Sequence, residues 1–210
     1  MRKILPILGM LLVACGNPSS KGSSDASAGA TPAPVSSPVS PKGETTPEPP
    51  QEVAVRFLQA LKGGDIDAMV SMIAPEGILI SPDAHVSPDK DVVLKPEEFR
   101  KAWEENRKFL WGYEPGSGRP IEMGLRDFLR KFMYDRDYLS APKVATNEFI
   151  GKGNTQNNLK EVFPDAVFVE YHFPGTEKYD GMDWASLRVV LRKYGDGWKV
   201  VALVKDRWTP

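Results

Sequence analysis

Apolar spacing divides the chain into three stretches. Arg2 and Lys3 precede a short, mostly apolar run from Ile4 to Ala14, and residues 16–50 then carry almost no large apolar side chain. From residue 51 onward apolar positions recur at helical or strand periods. Val53, Phe57 and Leu61 share a face, with Ala54 and Leu58 beside it, which predicts a helix over 53–62 that Gly63-Gly64 stops. Asp65 caps a second helix, on which Ile66, Met69, Val70 and Ile73 fall at i, i+3, i+4 and i+7. After a break at 74–77, Ile78-Leu79-Ile80 reads as a short strand, and 81–91 as a proline-punctuated loop. Pro96 opens a helix predicted to reach about Leu110, with Phe99, Trp103, Asn106 and Leu110 down one stripe. The glycines and prolines of 111–120 predict a loop. Leu125, Phe128, Leu129 and Phe132 mark a further helix, 142–150 reads as extended, and 151–159 as a polar loop.

Strict alternation dominates the C-terminal part. Val167 to Phe173 is a strand with Val167, Val169, Tyr171 and Phe173 on one face, and Phe168, Glu170 and His172 on the other. Leu187–Tyr194 and Trp198–Val204 flank Gly195-Asp196-Gly197 and form a hairpin. A three-residue loop, pairing Tyr194 with Trp198, puts Leu187, Val189, Leu191, Val201 and Leu203 on one apolar face. It leaves Arg188, Val190, Arg192, Val200, Ala202, Val204 and Asp206 on the other. A two-residue loop mixes these faces, so the three-residue register is expected. Helices first and antiparallel strands last predict an α+β domain over 51–210, with N-terminal helices packed on one face of a curved antiparallel sheet.

Composition narrows the chemistry. The formal net charge of −1 argues against a nucleic-acid footprint, which needs a clustered basic surface. Hydrophobic residues at 41% and aromatics at 10% suffice for a real core in the 51–210 domain. The segment 16–50, rich in Ser, Pro, Gly, Ala and Thr, cannot offset its ordering entropy and is expected to be disordered. A flexible coil of that length spans about 30–35 Å. The apolar run before Ala14 is too short for a bilayer, which needs roughly 20 residues, and fits a secretory signal.

The segment Leu12-Val13-Ala14-Cys15 resembles the lipobox of bacterial lipoproteins at all four positions. The resemblance implies that residues 1–14 are a signal peptide cleaved before Cys15. It also implies that Cys15 carries diacylglycerol on its sulfur and an acyl chain (palmitate) on its amino group, so that residues 15–50 tether the domain. An ordinary signal peptide with a chance cysteine is the alternative. Three chains make the attachment durable, where one binds only marginally. Gly16 is not the aspartate that retains such proteins in the inner membrane, so a cell-envelope location is expected. The outer membrane is favoured in a two-membrane host, and the outer face of the plasma membrane otherwise. With the single cysteine consumed, disulfides, thiol nucleophiles and cysteine-ligated metals drop out.

Two further resemblances bear on the domain. Leu61 to Met69, with its Gly63-Gly64-Asp65 link, and the closing Gly197-Trp198-Lys199-Val200 resemble the cone-shaped superfamily of nuclear transport factor 2, the ketosteroid isomerases and SnoaL-like proteins. That superfamily hosts isomerases, dehydratases and non-enzymes, so the resemblance implies a fold and not an activity. It is also compatible with a dimer. Five C-terminal segments are similar to a group of uncharacterised exported bacterial proteins: Gly153-Asn154-Thr155, Asn157-Asn158, Tyr171 to Gly175, Gly181 to Trp184 and Asp206 to Thr209.

The candidate site residues each carry two readings. In a cone fold Glu170 and His172 would face a pocket as base and orienting partner; otherwise they form a solvated or ion-paired strand face. Asp183 and Trp184 offer an acid and a stacking ring at a pocket mouth, or a capped turn beside a packed ring. Arg188 and Asp206 anchor an anionic ligand or form a cross-strand salt bridge. Asn154, Asn157 and Asn158 bind a polar ligand or support turns. His85 reads as surface. Neither Asp135 with Asp137 nor the group Asp83, Asp89 and Asp91 has the glycine and terminal glutamate of a calcium loop. No metal or cofactor is therefore expected, and no catalytic residue is assigned. The expected function is a membrane-anchored, non-catalytic module for a ligand or an envelope partner. The alternatives are a cone-fold isomerase, dehydratase or hydrolase using Glu170 and His172, and a structural docking domain.

Overall fold

The computed structural model describes residues 48–209, so the expectations for the signal peptide, Cys15 and most of the tether lie outside the described residues. Helix α1 (Pro50–Gly63) starts at a proline and ends at Gly64 with φ of 74°. There the Gly64 N–H donates to Leu61 O and the Asp65 N–H to Ala60 O, satisfying carbonyls the helix leaves open. Asp65 Oδ1 then accepts from the Ala68 N–H at 3.0 Å and starts α2 (Ile66–Met72). Strand β1 (Ile78–Ser81) follows, and β2 (Val92–Leu94), absent from the sequence reading, pairs with it antiparallel.

Helix α3 (Pro96–Glu104) stops short of the expected Leu110. Asn106 takes a left-handed φ of 46° and donates its N–H to Trp103 O, while the Arg107 N–H reaches Ala102 O. That double closure ends a helix, and asparagine tolerates the conformation. Lys108–Tyr113 is strand β3 and Pro120–Gly124 strand β4, a separate two-stranded sheet; β3 takes in the expected helix end at 108–110 and the start of the expected loop at 111–113. Helix α4 (Leu125–Asp127) passes into a wider turn over Phe128–Met133, closed by the Tyr134 N–H on Leu129 O, five residues back. Strand β5 (Lys143–Thr146), the short helix α5 (Leu159–Val162), β6 (Val167–Phe173), β7 (Ala185–Tyr194) and β8 (Gly197–Arg207) complete the chain.

Six strands form one sheet in the order β2-β1-β8-β7-β6-β5, antiparallel except where β1 runs parallel to β8. The domain is therefore α+β, with helices packed against a curved, mainly antiparallel sheet. The hairpin register departs from expectation. Tyr194 pairs with Gly197 around a two-residue Gly195-Asp196 turn, and Gly195 has φ of 56° as a primed turn requires. Between Leu191 opposite Val200 and Val190 opposite Ala202 the register shifts, leaving Val201 as an extra residue. The bulge absorbs the one-residue offset. From Val190 and Ala202 down to Ala185 and Arg207 the pairing is the expected one; nearer the turn it is displaced by one. Consequently Val200 joins Leu191 in the helix-side core, and Val201 turns to the far face.

Both sheet faces are covered. Val169, Tyr171, Leu187, Val189, Leu191, Val200 and Leu203 pack with Phe57, Leu58, Leu61, Met69 and Phe99 of α1–α3 and with Phe128 and Met133. Burying each such side chain contributes about 1.5–3 kcal/mol. On the far face Phe168, Val190, Val201, Ala202 and Val204 pack with Leu79, Val86, Leu159 and the flanking Phe149 and Phe163. Asn158 fastens this cover, accepting from the Val86 N–H at 2.8 Å and donating to Val86 O at 2.9 Å.

Candidate functional site

Strand pairing alone assembles four of the sequence candidates. Glu170 lies opposite Arg188, His172 opposite Ser186, and Ser186 opposite Asp206, all on the sheet face away from α1. Of the two readings of Glu170 and His172, the structure shows the ion-paired strand face: Glu170 pairs with Arg188, on the sheet face away from α1–α3. The apolar alternates Val169 and Tyr171 take the helix side, because the amphipathic helices need an apolar surface to pack on.

The resulting network centres on Arg188. Arg188, with no exposed surface, donates from Nε to Glu170 Oε2 at 2.8 Å. Its Nη2 reaches Asp206 Oδ2 at 2.7 Å and the Gly151 carbonyl at 3.2 Å. Glu170 Oε1 accepts from the Gly151 N–H at 2.8 Å and from Ser186 Oγ at 2.6 Å. Because the serine proton goes to the carboxylate, His172 Nδ1 must be the donor in its 2.9 Å contact with Ser186 Oγ. Two carboxylates share one guanidinium. Burial accordingly pushes the Asp206 carboxyl up, with Arg188 pulling it down. Burial likewise holds the His172 imidazole below its ordinary value, against the pull of Glu170. Among the described residues Arg188 Nη1 is buried without a partner.

Trp184 roofs this network, its ring 6.0 Å from that of His172. The chain can pass beneath it only because residues 151 and 153 are glycines. A Cβ at Gly151 would stand 2.5 Å from Ser186 Oγ and 2.8 Å from the Trp184 ring, and one at Gly153 2.9 Å from that ring. Asp183 caps the turn, accepting from the Thr176 N–H at 2.6 Å and Thr176 Oγ1 at 2.9 Å, and these bonds hold its carboxyl below the usual range. Serine, histidine and glutamate therefore meet with the hydrogen-bond order reversed from a nucleophile's. Ser186 gives its proton to the acid, and His172 cannot take it. Asp206 borders a cleft of about 260 Å³, lined also by Phe149, Gly151, Lys152, Gly153, Thr155 and Asn157. Asn157 and Asn154 are also engaged with backbone, at the Leu159 N–H and Thr209 O.

Two places escaped the sequence reading. On the helix side Lys205, 1% exposed, donates to Met133 O, Asp135 and Tyr138 Oη. Burial lowers its ammonium to about 8 against the pull of Asp135. The available signal was a lysine two residues beyond Leu203 on the apolar face. Asp137 is elsewhere engaged, with Tyr134 and Lys62.

The second is a cavity of about 530 Å³ between the loop 82–91 and β3. Asp83, His85, Ser87, Lys90 and Asp91 line one side, Leu110, Trp111 and Tyr113 the other. Leu110 and Tyr113, three apart, face it together because β3 is bulged between them. They are 45% and 59% exposed, an apolar wall left open. Asp91 Oδ2 accepts from the Ser87 N–H at 2.8 Å, whereas the Asp83 carboxylate accepts no hydrogen bond among the described residues. Burial pushes both carboxyls up; Arg207 draws Asp83 back down, and Asp83 adds to the rise at Asp91. Asp89 is exposed and does not line the cavity. Among the described residues no group of three or more His, Cys, Asp or Glu is placed to hold a metal ion, and no helix is long and apolar enough to cross a membrane.

No protein-family model matches the chain, and neither does any curated protein. Solved structures do. An NTF2-like protein of unknown function from Pseudomonas putida KT2440 aligns at 12% identity with a TM-score of 0.36, over 74% of this chain and 82% of that one. A ketosteroid isomerase-like protein from Erwinia carotovora atroseptica SCRI1043 aligns at 15% identity with a TM-score of 0.34, over 76% and 94%. A protein of unknown function with a cystatin-like fold from Nostoc punctiforme aligns at 14% identity with a TM-score of 0.34, over 75% and 86%.

Proposed function

We propose that this chain is a lipid-anchored envelope protein whose α+β domain is a non-catalytic binding module, taking a small ligand in the cavity between residues 82–91 and β3. The observation that carries the reading is that cavity. It joins an open apolar wall, Leu110 and Tyr113, to a half-buried Asp83 carboxylate with no hydrogen bond from the described residues. Ligand sites combine an apolar lining with a few polar groups of perturbed pKa, and at about 530 Å³ the space has a ligand site's size. By contrast, Glu170, Arg188 and Ser186 are wholly buried and make their hydrogen bonds to one another, to Gly151, to Asp206 and to His172. Such groups hold a fold together; a substrate cannot reach them.

The anchor half rests on the lipobox resemblance at Leu12 to Cys15. Mass spectrometry of the mature amino terminus is expected to find a triacylated Cys15, and Cys15→Ala to move the protein out of the membrane fraction. Native mass spectrometry of the detergent-extracted protein is expected to show a small bound mass that Leu110→Ala/Tyr113→Ala loses. Equal membrane retention of the Cys15→Ala protein sinks the anchor, and a bound mass indifferent to the double variant sinks the cavity.

A further inference from the structure

We infer that the ligand of this cavity is an organic cation, an ammonium group carried on an apolar body, seated between Asp83 and Asp91 with its apolar part against Leu110 and Tyr113. The inference rests on the preceding reading of the cavity as the binding site. Its argument is the pairing of charge and shape. Asp83 and Asp91 line the same cavity, both are partly withdrawn from water, and the charge of Asp83 adds to the rise of the Asp91 carboxyl. Two carboxylates so placed repel an anion and gain from a cation. A bare metal ion would need a further ligand cluster, and none is placed for it among the described residues. The opposite wall is an aromatic ring and an aliphatic side chain, both largely open. Such a surface suits the methyl or methylene groups around a quaternary or substituted ammonium, whose charge an aromatic face also attracts.

The cations already nearby do not fill this role. Lys90 is exposed at the rim. Arg207, on β8, acts on Asp83 through space. His85 uses Nδ1 on Gln156 O at 3.2 Å. The groups that set the cavity's response to pH are therefore Asp83, Asp91, His85, Lys90 and Arg207. Protons and a bound ammonium compete for the two carboxylates. Affinity is thus expected to fall as pH drops through the carboxylate range, and to level off above it.

The test compares choline with its neutral isostere 3,3-dimethylbutan-1-ol. Each is titrated at constant ionic strength into the full chain carrying Cys15→Ala, followed by amide chemical shifts. Choline is expected to give saturable shifts confined to residues 82–91 and 108–113, with the alcohol at least about tenfold weaker. Asp83→Asn keeps the shape, breaks no hydrogen bond, and is expected to weaken choline about fivefold or more and to flatten its pH dependence. If the alcohol matches choline at these residues, or Asp83→Asn leaves choline unchanged, the cation assignment fails while the binding site stands. If neither probe shifts these residues, or choline maps elsewhere, both readings fail.

Discussion

Replacing Arg188 by methionine keeps most of the side-chain volume and removes the one cation that two buried carboxylates share. The guanidinium makes hydrogen bonds of 2.8 Å to Glu170, 2.7 Å to Asp206 and 3.2 Å to the Gly151 carbonyl. Glu170 has no exposed surface and Asp206 has 4%, so neither regains water when Arg188 goes. Stranding a buried charge costs about 3–5 kcal/mol, whereas a volume-conserving change costs under about 1.5 kcal/mol. The two cases are thus separable. For a domain of this size each kcal/mol moves Tm by about 2–4 °C, so a fall of about 6–20 °C is expected. The pH dependence identifies the cause. In the variant the Asp206 carboxyl, already raised by burial, loses the downward pull of Arg188 and rises further above its unfolded pKa. Stability is then highest below the unfolded pKa and falls as pH rises through the folded one. The gap from wild type, read from urea midpoints between pH 4 and 8, should be widest at neutral pH and shrink toward acid. A combined Glu170→Gln/Arg188→Met/Asp206→Asn protein, with no stranded charge, should recover most of the loss. A single variant as stable as wild type, or a gap that ignores pH, would refute the reasoning.

Two smaller perturbations probe the same region. Burial depresses the His172 pKa in the folded state, and for a base this means a contribution present above the unfolded value near 6.5 and lost as pH falls through the folded one. His172→Gln should flatten that acid limb of the urea midpoint, and a limb unchanged in the variant would assign it to other groups. Gly151→Ala drives a Cβ into Ser186 and Trp184 and should cost about 1–3 kcal/mol. Gly63→Ala, whose Cβ meets nothing within 4 Å inside α1, should instead stabilise by about 0.5–1 kcal/mol. Thermal melts that rank the two alanines alike would remove the glycine requirement under Trp184.

Much of this fold is written in local chemistry. Alternation from Val167 to Phe173 sorts Val169 and Tyr171 from Glu170 and His172, and the structure keeps that sorting. The Gly63-Gly64-Asp65 link ends one helix and caps the next, as glycine conformation and an aspartate cap require. Where local signals competed, the reading slipped. The stripe Phe99, Trp103, Asn106, Leu110 has helical spacing, but the left-handed turn at Asn106 ends the helix and sends Leu110 into a strand. Asn106 Oδ1 also accepts from the Arg126 and Asp127 N–H groups, partners twenty residues away that no local pattern announces.

The candidate site divides along the same line. That Glu170, His172, Arg188 and Asp206 share a strand face followed from the two-residue period of the backbone, a local property of the chain. Which face the helices cover, and hence that this network is sealed beneath Gly151 and Trp184, depends on how distant segments pack. The hairpin shows both at once. Its glycine turn is local, but the bulge at Val201 exists because two valines must face different cores. The cavity at Asp83 was beyond the sequence altogether. It needs a proline-rich loop and a bulged strand brought together from separate parts of the chain, and only long-range packing decides that.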